Sequence, residues 1–270
     1  MKVQYLYPFW GSEHLSLKKV ASTIAANGFD GIEINIPPLE ELRASFHLLR
    51  QKSFTVVAQL VLSNRTETPK AFLQRALNKL DEIRTFLPDC INSHTGKDHF
   101  SFEDNCMIIE ALEEWSELHS IPLLHETHRG RFSFHSATLL PYLDKYPGLK
   151  LVADFSHWCT VSESLLEDQE SVIDAILPHV HHIHARVGWA QAAQLANPFA
   201  KEAQLELASH THWWKKIVDF HKDTDKTFYI TPEQGPYPYN PDNTNPEKAS
   251  ADQKWINLSM KRYLQENLNL

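Results

Sequence analysis

Four residues of types that commonly bind metal ions each stand at the end of a short apolar run. They are Glu126, Asp154, His184 and Glu233. Three carboxylates and one imidazole favour Mg²⁺, Mn²⁺ or a catalytic Zn²⁺ over a structural zinc held by thiolates. Such a set nearly neutralises a divalent ion and leaves coordination positions for substrate oxygens or water. Each residue alone is better explained by loop capping or backbone hydrogen bonding, but four at successive strand ends favour a catalytic metal site.

Two further histidines lie close to these donors in the sequence. His157 follows Asp154 by three residues, which is near enough to bind the same ion or a substrate hydroxyl. His182 precedes His184 by two residues, so both side chains should point to the same face of a strand. Both histidines are therefore candidates for contacts inside the site.

Arginine and tryptophan side chains are the other candidates for substrate contacts. Arg129 and Arg131 follow Glu126 closely, and their planar guanidinium groups could bind a phosphate, a carboxylate or vicinal hydroxyls. Arg186 stands two residues beyond His184, where the mouth of the site is expected. Three tryptophans that follow predicted strands are candidates for an apolar wall: Trp10, Trp158 and Trp189.

The order of the predicted elements indicates an α/β barrel. Eight short runs rich in apolar and β-branched residues alternate with longer helical patterns. The predicted strands are Val3–Tyr7, Gly31–Asn35, Thr55–Leu62, Cys90–His94, Pro122–Glu126, Lys150–Asp154, His181–Ala185 and Phe228–Glu233. The predicted helices are Leu15–Asn27, Leu39–Gln51, Pro69–Phe86, Phe102–His119, His135–Lys145, Val161–Leu177, Trp213–Lys222 and Asp252–Glu266. We expect a single-domain (β/α)8 TIM barrel over residues 1–270, with an open doubly wound sheet as the alternative.

Three helix boundaries carry recognisable signals. Gly28 should close the first helix as a C-cap, Pro69 should open the third, and Ser133 is a candidate N-cap for the fifth. In a parallel barrel all of the metal donors would then lie at the carboxyl ends of strands, which is the catalytic face.

Charge and composition argue against several functional classes. The formal net charge of −8 disfavours a nucleic-acid partner. No glycine-rich dinucleotide or triphosphate loop follows a predicted strand. The three cysteines are too few for a disulfide framework, and no apolar run suits a signal peptide or a membrane span. We therefore expect a cytoplasmic protein that acts on a small molecule without a membrane or nucleic-acid partner.

Ordered motifs along the whole chain resemble the xylose isomerase-like TIM-barrel superfamily, in particular its sugar phosphate isomerase/epimerase branch. The motifs are Gly28-Phe29-Asp30-Gly31-Ile32-Glu33, Ile91-Asn92-Ser93-His94-Thr95-Gly96, Glu126, Asp154-x-x-His157, His182-x-His184 and Glu233-x-Gly235. Single motifs of this kind are weak, but their order and their placement at strand ends agree with the superfamily. The resemblance is specific for the fold and unspecific for the substrate.

Resemblance to the ketose 3-epimerases implies one divalent ion, Mn²⁺, Mg²⁺, Zn²⁺ or Co²⁺, bound by Glu126, Asp154, His184 and Glu233. It also implies that the two glutamates exchange protons with the substrate through a metal-stabilised enediolate. His157 and Arg186 resemble the substrate-contacting residues of that family, and His94 belongs to its fourth-strand motif. The same likeness implies a homo-oligomer, either a dimer or a tetramer.

One departure from the epimerase pattern concerns the substrate. Phe132 stands six residues after Glu126, where those epimerases carry a further substrate-binding glutamate. The segment around Arg129 and Arg131 is instead basic. A phosphorylated or acidic sugar derivative is therefore to be considered beside a free ketohexose.

Three other functions share this fold or this set of donors. A keto-sugar or keto-inositol dehydratase would use the same site and differ only in losing a β-leaving group. An endonuclease similar to the apurinic endonucleases would need more zinc ligands, and Val57-Ala58-Gln59-Leu60 contains no histidine on the third strand. A sugar-binding protein with a vestigial site is the last alternative.

Overall fold

Eight parallel strands close into a barrel in sequence order, as predicted. The computed structural model describes residues 1–35, 46–240 and 246–268. The strands are β1 Lys2–Pro8, β2 Gly31–Asn35, β3 Thr55–Leu60, β4 Cys90–Ser93, β5 Leu123–Glu126, β6 Leu151–Ala153, β7 Val180–Ala185 and β8 Thr227–Pro232. Strand β8 pairs with β1 through Thr227 opposite Lys2 and Ile230 opposite Tyr5, which closes the ring. The open doubly wound sheet is therefore excluded.

Helices pack around the outside of the barrel. The α-helices of the described residues are α1 Leu17–Ala26, α2 His47–Gln51, α3 Pro69–Arg84, α4 Phe102–His119, α5 Ser136–Lys145, α6 Phe155–Ser162, α7 Glu170–Ile176, α8 Gln204–His221 and α9 Pro246–Asn267. Short 3₁₀ turns at Leu177–His179 and Lys201–Ala203 precede β7 and α8. No helix among the described residues is long and apolar enough to cross a membrane.

The side chains that point into the barrel form two layers. Successive side chains alternate between the two faces of a strand, so every second residue points inward. The lower layer is apolar and contains Leu6, Val57, Cys90, Leu124 and Val152, all of them buried. Two residues further along four of these strands, the same parity brings polar side chains to the inside: Gln59, Asn92, Glu126 and Asp154. The barrel is thus filled by apolar residues at its base and by charged and amide groups at its carboxyl end.

Helix ends follow the predicted capping chemistry at two places. Gly28 adopts φ +62° beyond the C-cap of α1, and its N–H donates to the carbonyl of Ala25. Pro69 is the first residue of α3, where its missing N–H costs no hydrogen bond. The Ser133 prediction is wrong: His135 is the N-cap of α5, and the Ser133 hydroxyl instead donates to the carbonyl of Glu126.

The single helix predicted over Val161–Leu177 is also wrong. Two shorter helices, α6 and α7, occupy this region, and α6 begins directly after Asp154. Glu163 and Leu166 adopt left-handed backbone conformations with φ +47° and +58°, which a continuous α-helix does not allow. Asp154 starts α6 early because its carboxylate accepts the N–H of Ser156 at 3.0 Å.

Other boundaries moved by a few residues. Helix α8 begins nine residues before the predicted Trp213, and α9 begins at Pro246 rather than at Asp252. Residues 39–45 of the helix predicted over Leu39–Gln51 lie outside the described residues. The described end of this range contains α2. Strand β8 ends at Pro232, so Glu233 is the first residue of the following loop.

Candidate active site

The side chains of the four predicted metal donors converge at the carboxyl end of the barrel. The Nδ1 atom of His184 lies 2.9 Å from Oε2 of Glu233 and 3.7 Å from Oε2 of Glu126. One ligand atom each from Asp154, His184 and Glu233 lies within 4.8 Å of the others, and the same holds for Glu126, Asp154 and His157. All of these side chains are buried. Residues far apart in the sequence therefore form one cluster of potential metal ligands.

Glu33 on β2 belongs to this cluster, although the sequence analysis assigned it no role. Both of its carboxylate oxygens lie 2.9 Å from Nε2 of His184. The hydroxyl of Thr231 donates to Oε2 of Glu33 at 2.7 Å, and the amide of Gln59 donates to Oε1 at 3.2 Å. Only a His184 ring protonated at Nε2 can donate to this carboxylate, so Glu33 directs the Nδ1 side of the ring toward Glu233.

Asn92 links Glu33 to Glu126. Its Nδ2 group donates to Oε1 of Glu33 at 3.0 Å and to Oε2 of Glu126 at 2.7 Å. Glu126 also lies 2.9 Å from Nε2 of His94, which is a hydrogen bond when that nitrogen carries the proton. The carboxylate of Glu126 is therefore held from two sides before any ligand enters.

Arg186 forms the second ion-paired group of the site. Its guanidinium donates to Oδ2 of Asp154 and lies 3.3 Å from Oε2 of Glu233. It also lies 3.1 Å from Nε2 of His157 and 4.7 Å from the ring centre of Tyr239. Arg186 is thus engaged with the acidic residues rather than extended into the mouth of the site.

The protonation states follow from burial and from these neighbours. Burial would raise the pKa of Glu33, but the imidazoles of His184 and His182 outweigh it and lower that pKa to about 2. Burial likewise opposes ionisation of Glu126, yet His94 and His184 lower its pKa well below the usual range. Burial lowers the pKa of His182 to about 4, so the 3.5 Å approach of His182 to Glu33 is not an ion pair at neutral pH. Glu33 and Glu126 are ionised there.

The pKa values of His184, Asp154 and His157 are shifted in different directions, because the charges around these buried groups differ. Burial would lower the pKa of His184, but the carboxylates of Glu233, Glu33 and Glu126 raise it well above its ordinary value. Burial raises the pKa of Asp154, with Arg186 opposing this effect. Burial lowers the pKa of His157 well below its ordinary value, so this ring is neutral.

The donor set fits a divalent cation. Four carboxylates, those of Glu33, Glu126, Asp154 and Glu233, outnumber the two basic groups that contact them, Arg186 and His184. Oε2 of Glu233 and Nδ1 of His184 are buried, and neither has a hydrogen-bond partner of good geometry among the described residues. Buried lone pairs without a donor and excess negative charge are both features that a bound Mg²⁺, Mn²⁺ or Zn²⁺ would satisfy.

A cavity of about 380 Å³ opens above the cluster. Its lining includes six of the predicted ligands and substrate contacts: Trp10, His94, Glu126, Arg131, Arg186 and Glu233. Glu233 lies at its base beside Tyr239, whose ring meets that of Trp10 edge to face at 5.0 Å. This volume suits a small organic molecule.

Other predicted contacts lie away from the cavity surface. His157 and His182 are fully buried behind the lining, where His182 approaches Thr231 at 2.8 Å. Arg129 is exposed and stacks on Tyr239 at 5.0 Å. Trp158 is not part of an apolar wall, because it is completely buried in the core and donates to the carbonyl of Ser133.

Two residues of the site that were not among the predicted ligands and substrate contacts, Glu33 and Asn92, nevertheless carry a signal in the sequence. Glu33 is a charged residue in the middle of a strand whose neighbours Ile32 and Ile34 are apolar, and such residues are rarely buried without a partner. Asn92 has the same parity within β4 as the inward-facing Cys90. Tyr239 lies in a proline-rich loop, and no periodicity could have placed it against Arg186.

Comparisons with family models and with curated protein sequences give no match. Solved structures of the same fold do match. L-ribulose 3-epimerase aligns with a TM-score of 0.66 at 13% identity, over 100% of this chain and 95% of that one. The probable 3-DHS dehydratase AsbF from Bacillus anthracis, involved in petrobactin synthesis, aligns with a TM-score of 0.56 at 17% identity, over 94% and 98%.

A third match is a xylose isomerase-like TIM-barrel protein from Mycobacterium smegmatis in complex with magnesium. It aligns with a TM-score of 0.59 at 11% identity, over 98% of this chain and 97% of that one. The chain therefore has the fold of the xylose isomerase-like TIM barrels, which confirms the resemblance at the level of fold. These identities are too low to transfer an activity.

Proposed function

We propose that the protein is a divalent-metal-dependent isomerase or epimerase of a sugar or sugar phosphate. The observation that carries this proposal is the convergence of Glu126, Asp154, His184 and Glu233 beneath an open cavity. A buried acidic cluster of this kind would be costly in a protein that only needed a stable core, because unpaired buried charges are expensive. A function in ion and substrate binding accounts for it.

Asp154 and His184 would hold the cation together with the two glutamates. When bound, the ion supplies Lewis-acid polarisation of a carbonyl and its neighbouring hydroxyl, which acidifies the adjacent C–H. The Nδ1 atom of His184 is available for this role because its Nε2 side faces Glu33 at 2.9 Å. The N-cap bond from Ser156 to Oδ1 of Asp154 leaves Oδ2 turned toward the site.

Glu126 and Glu233 would move the proton. They come from β5 and from the end of β8, which are three strands apart around the barrel, so they reach the cavity from different sides. The lowered pKa of Glu126 keeps its carboxylate ionised, as a group that accepts a proton from carbon must be, although the same shift weakens it as a base. The second glutamate would return a proton to the other face of that carbon or to the neighbouring carbon.

Hydrogen exchange with solvent tests this proposal. The protein loaded with Mn²⁺ is incubated in D₂O with a broad panel of aldoses, ketoses and their phosphates, and C–H loss is followed by NMR. We expect exchange with at least one compound, and its loss in both Glu126→Gln and Glu233→Gln. Glu117→Gln removes an equal charge from the exposed face of α4 and serves as the control. Absence of exchange across the whole panel would refute an isomerase or epimerase.

A dehydratase acting on a keto compound is the second candidate, and the position of His94 favours it. This histidine lines the cavity beside Glu126, and its Nδ1 has no hydrogen-bond partner among the described residues. It could donate the proton that a departing β-hydroxyl needs to leave as water, after Glu126 has removed the proton from the adjacent carbon. The NMR spectra distinguish the outcomes, because a dehydrated product gains a carbon–carbon double bond whereas an epimer does not.

A further inference from the structure

Arg131 is a buried cation whose guanidinium has no hydrogen bond or ion pair with any residue that the structure describes. Its side chain is 6% exposed, and its Nε and Nη1 atoms have no hydrogen-bond partner among the described residues. It forms no ion pair with a carboxylate in that part of the chain. A guanidinium is costly to bury when its N–H groups are unsatisfied, so such a group is expected to meet an acceptor from elsewhere. Arg131 lines the cavity, where that acceptor can enter.

Arg186 provides the contrast within the same cavity. Its Nη2 group donates to Asp154 and approaches Glu233, and its Nε donates to Ser156 at 3.2 Å, so the acidic cluster already offsets its charge. The two arginines therefore differ in availability, although both line the cavity. Of these two, Arg131 is the one whose charge is not offset by an ion pair with a carboxylate of the described residues.

The loop after β5 fixes where Arg131 points. The N–H of Arg131 donates to the carbonyl of His128 at 3.1 Å, and its carbonyl accepts the N–H of Phe134 at 3.1 Å. Gly130 adopts φ +75°, a conformation that lets the chain turn between these two bonds. This loop begins directly after Glu126. Arg131 therefore follows the proposed proton-transfer residue by only five positions in the sequence.

Burial lowers the pKa of the Arg131 guanidinium, and the nearby carboxylates of Glu126 and Asp98 oppose this effect. Neither carboxylate forms an ion pair or hydrogen bond with Arg131 in the part of the chain that the structure describes. His94 and His128 both line the wall of the cavity, and their ring centres lie 4.4 Å apart. Lys97 stands behind the wall and donates to Asn64, another lining residue, at 2.7 Å. The cavity lining thus combines carboxylates with one guanidinium that has no ion-pair partner among the described residues, so an anionic group at one end of a ligand would meet Arg131.

We propose that the substrate carries a carboxylate or phosphate group that Arg131 binds while the reacting carbon lies over Glu126 and Glu233. This inference rests on the proposed function, since it names the class of substrate for the same site. Two parallel N–H donors of a guanidinium match the oxygens of either anion. The oxygens of a neutral sugar can accept hydrogen bonds from Arg131, but they bring no negative charge to offset the buried guanidinium.

Calorimetric binding measurements on the metal-loaded protein test the inference. The probes are D-fructose, D-fructose 6-phosphate and 5-keto-D-gluconate, which are neutral, phosphorylated and carboxylated. We expect at least one anionic probe to bind ten times more tightly than D-fructose. Arg131→Gln should remove that preference, with a loss on the order of 10- to 100-fold for the anionic probe, because charge-assisted bonds are lost. Arg131→Lys should keep part of it.

A control variant and the choice of a binding measurement separate the effect of Arg131 on affinity from effects on net charge and on catalysis. Arg84→Gln removes the same charge from exposed α3 and should leave all affinities unchanged. The relative strength of phosphate and carboxylate binding identifies the anion. Equal affinity for neutral and anionic probes, or a preference that survives Arg131→Gln, would refute the inference. Binding requires no turnover, so this outcome is distinct from a failure of the deuterium-exchange experiment.

Discussion

Replacing Glu33 by glutamine tests whether the second strand prepares His184 to bind a cation. Four donor groups are directed at this one carboxylate: those of Gln59, Asn92, His184 and Thr231. A carboxylate accepts at both oxygens, whereas a glutamine amide presents one NH₂ group that cannot accept. The variant must therefore lose at least one of these bonds, together with the charge that keeps the His184 proton on Nε2.

The expected size of the effect follows from these contacts. Loss of the partner that orients a metal-binding histidine typically weakens metal affinity about 10- to 100-fold, or about 1.4 to 2.7 kcal/mol. Leaving one buried donor unsatisfied lowers the free energy of unfolding by about 1–3 kcal/mol. Glu33 contacts His184 directly, so we expect the loss of metal affinity in a folded variant to be larger than the loss caused by a substitution that only lowers the free energy of unfolding.

Isothermal titration with Mn²⁺ and Mg²⁺ measures the affinity, and ¹⁵N NMR of the imidazole identifies the tautomer of His184. At a Mg²⁺ concentration that just saturates the wild type, its His184 should carry a proton on Nε2 alone. In Glu33→Gln at the same concentration, part of the population should retain a proton on Nδ1, because its metal affinity is lower. Glu117→Gln, on the exposed face of α4, should leave both measurements unchanged. A folded Glu33→Gln protein with unchanged affinity and tautomer would refute the role assigned to Glu33.

Three further predictions concern stability. Burial lowers the pKa of His210 to about 4. Between about pH 6.5 and pH 4 the unfolded state binds a proton at this histidine and the folded state does not, so the free energy of unfolding falls as the pH drops. Unfolding in urea should show that the wild type loses about 2 kcal/mol more than His210→Gln between pH 7 and pH 5, and equal losses would contradict this. Gly31→Ala should lower the free energy of unfolding by about 3 kcal/mol or more, because its Cβ would lie 2.1 Å from the carbonyl oxygen of Thr55. Gly148→Ala, which meets no atom within 4 Å, is its control, and similar melting temperatures for the two would count against the steric argument. Chelation of divalent ions should lower the melting temperature, since a cation at 100 times its Kd contributes about 2.7 kcal/mol; no change on adding Mn²⁺ back would speak against a metal site.

The sequence predicted the barrel because its signals are local. Apolar runs ending in a carboxylate or an imidazole marked where strands stop, and the predicted range of α4, Phe102–His119, agrees with the structure at both ends. The failures occurred where a single backbone conformation or a distant contact decides the outcome. The left-handed conformations at Glu163 and Leu166 divide one predicted helix into two, and no hydrophobic periodicity reports such a conformation.

The site could be predicted only in part for a related reason. Strand parity indicates which residues face inward, but it does not indicate which inward residues meet across the barrel. Glu33 and His184 are 151 positions apart, yet they lie 2.9 Å from each other. In the sequence Arg186 was the stronger candidate for a substrate contact and Arg131 a weaker one. In the structure Arg186 is paired with Asp154, whereas Arg131 has no ion-pair partner among the described residues.

The two layers of the barrel interior explain why so much charge can be buried at one end. The lower layer, with Leu6, Val57 and Leu124, supplies the dry contacts that hold the ring together. This leaves the upper layer free to carry carboxylates, provided that each is hydrogen-bonded or neutralised. Within that layer Asn92 and Arg186 satisfy part of the acidic cluster, whereas atoms of His184 and Glu233 are left without partners of good geometry in the described chain. A bound cation would therefore meet the unpartnered atoms of His184 and Glu233, and an anionic group of the substrate would meet the unpartnered guanidinium of Arg131.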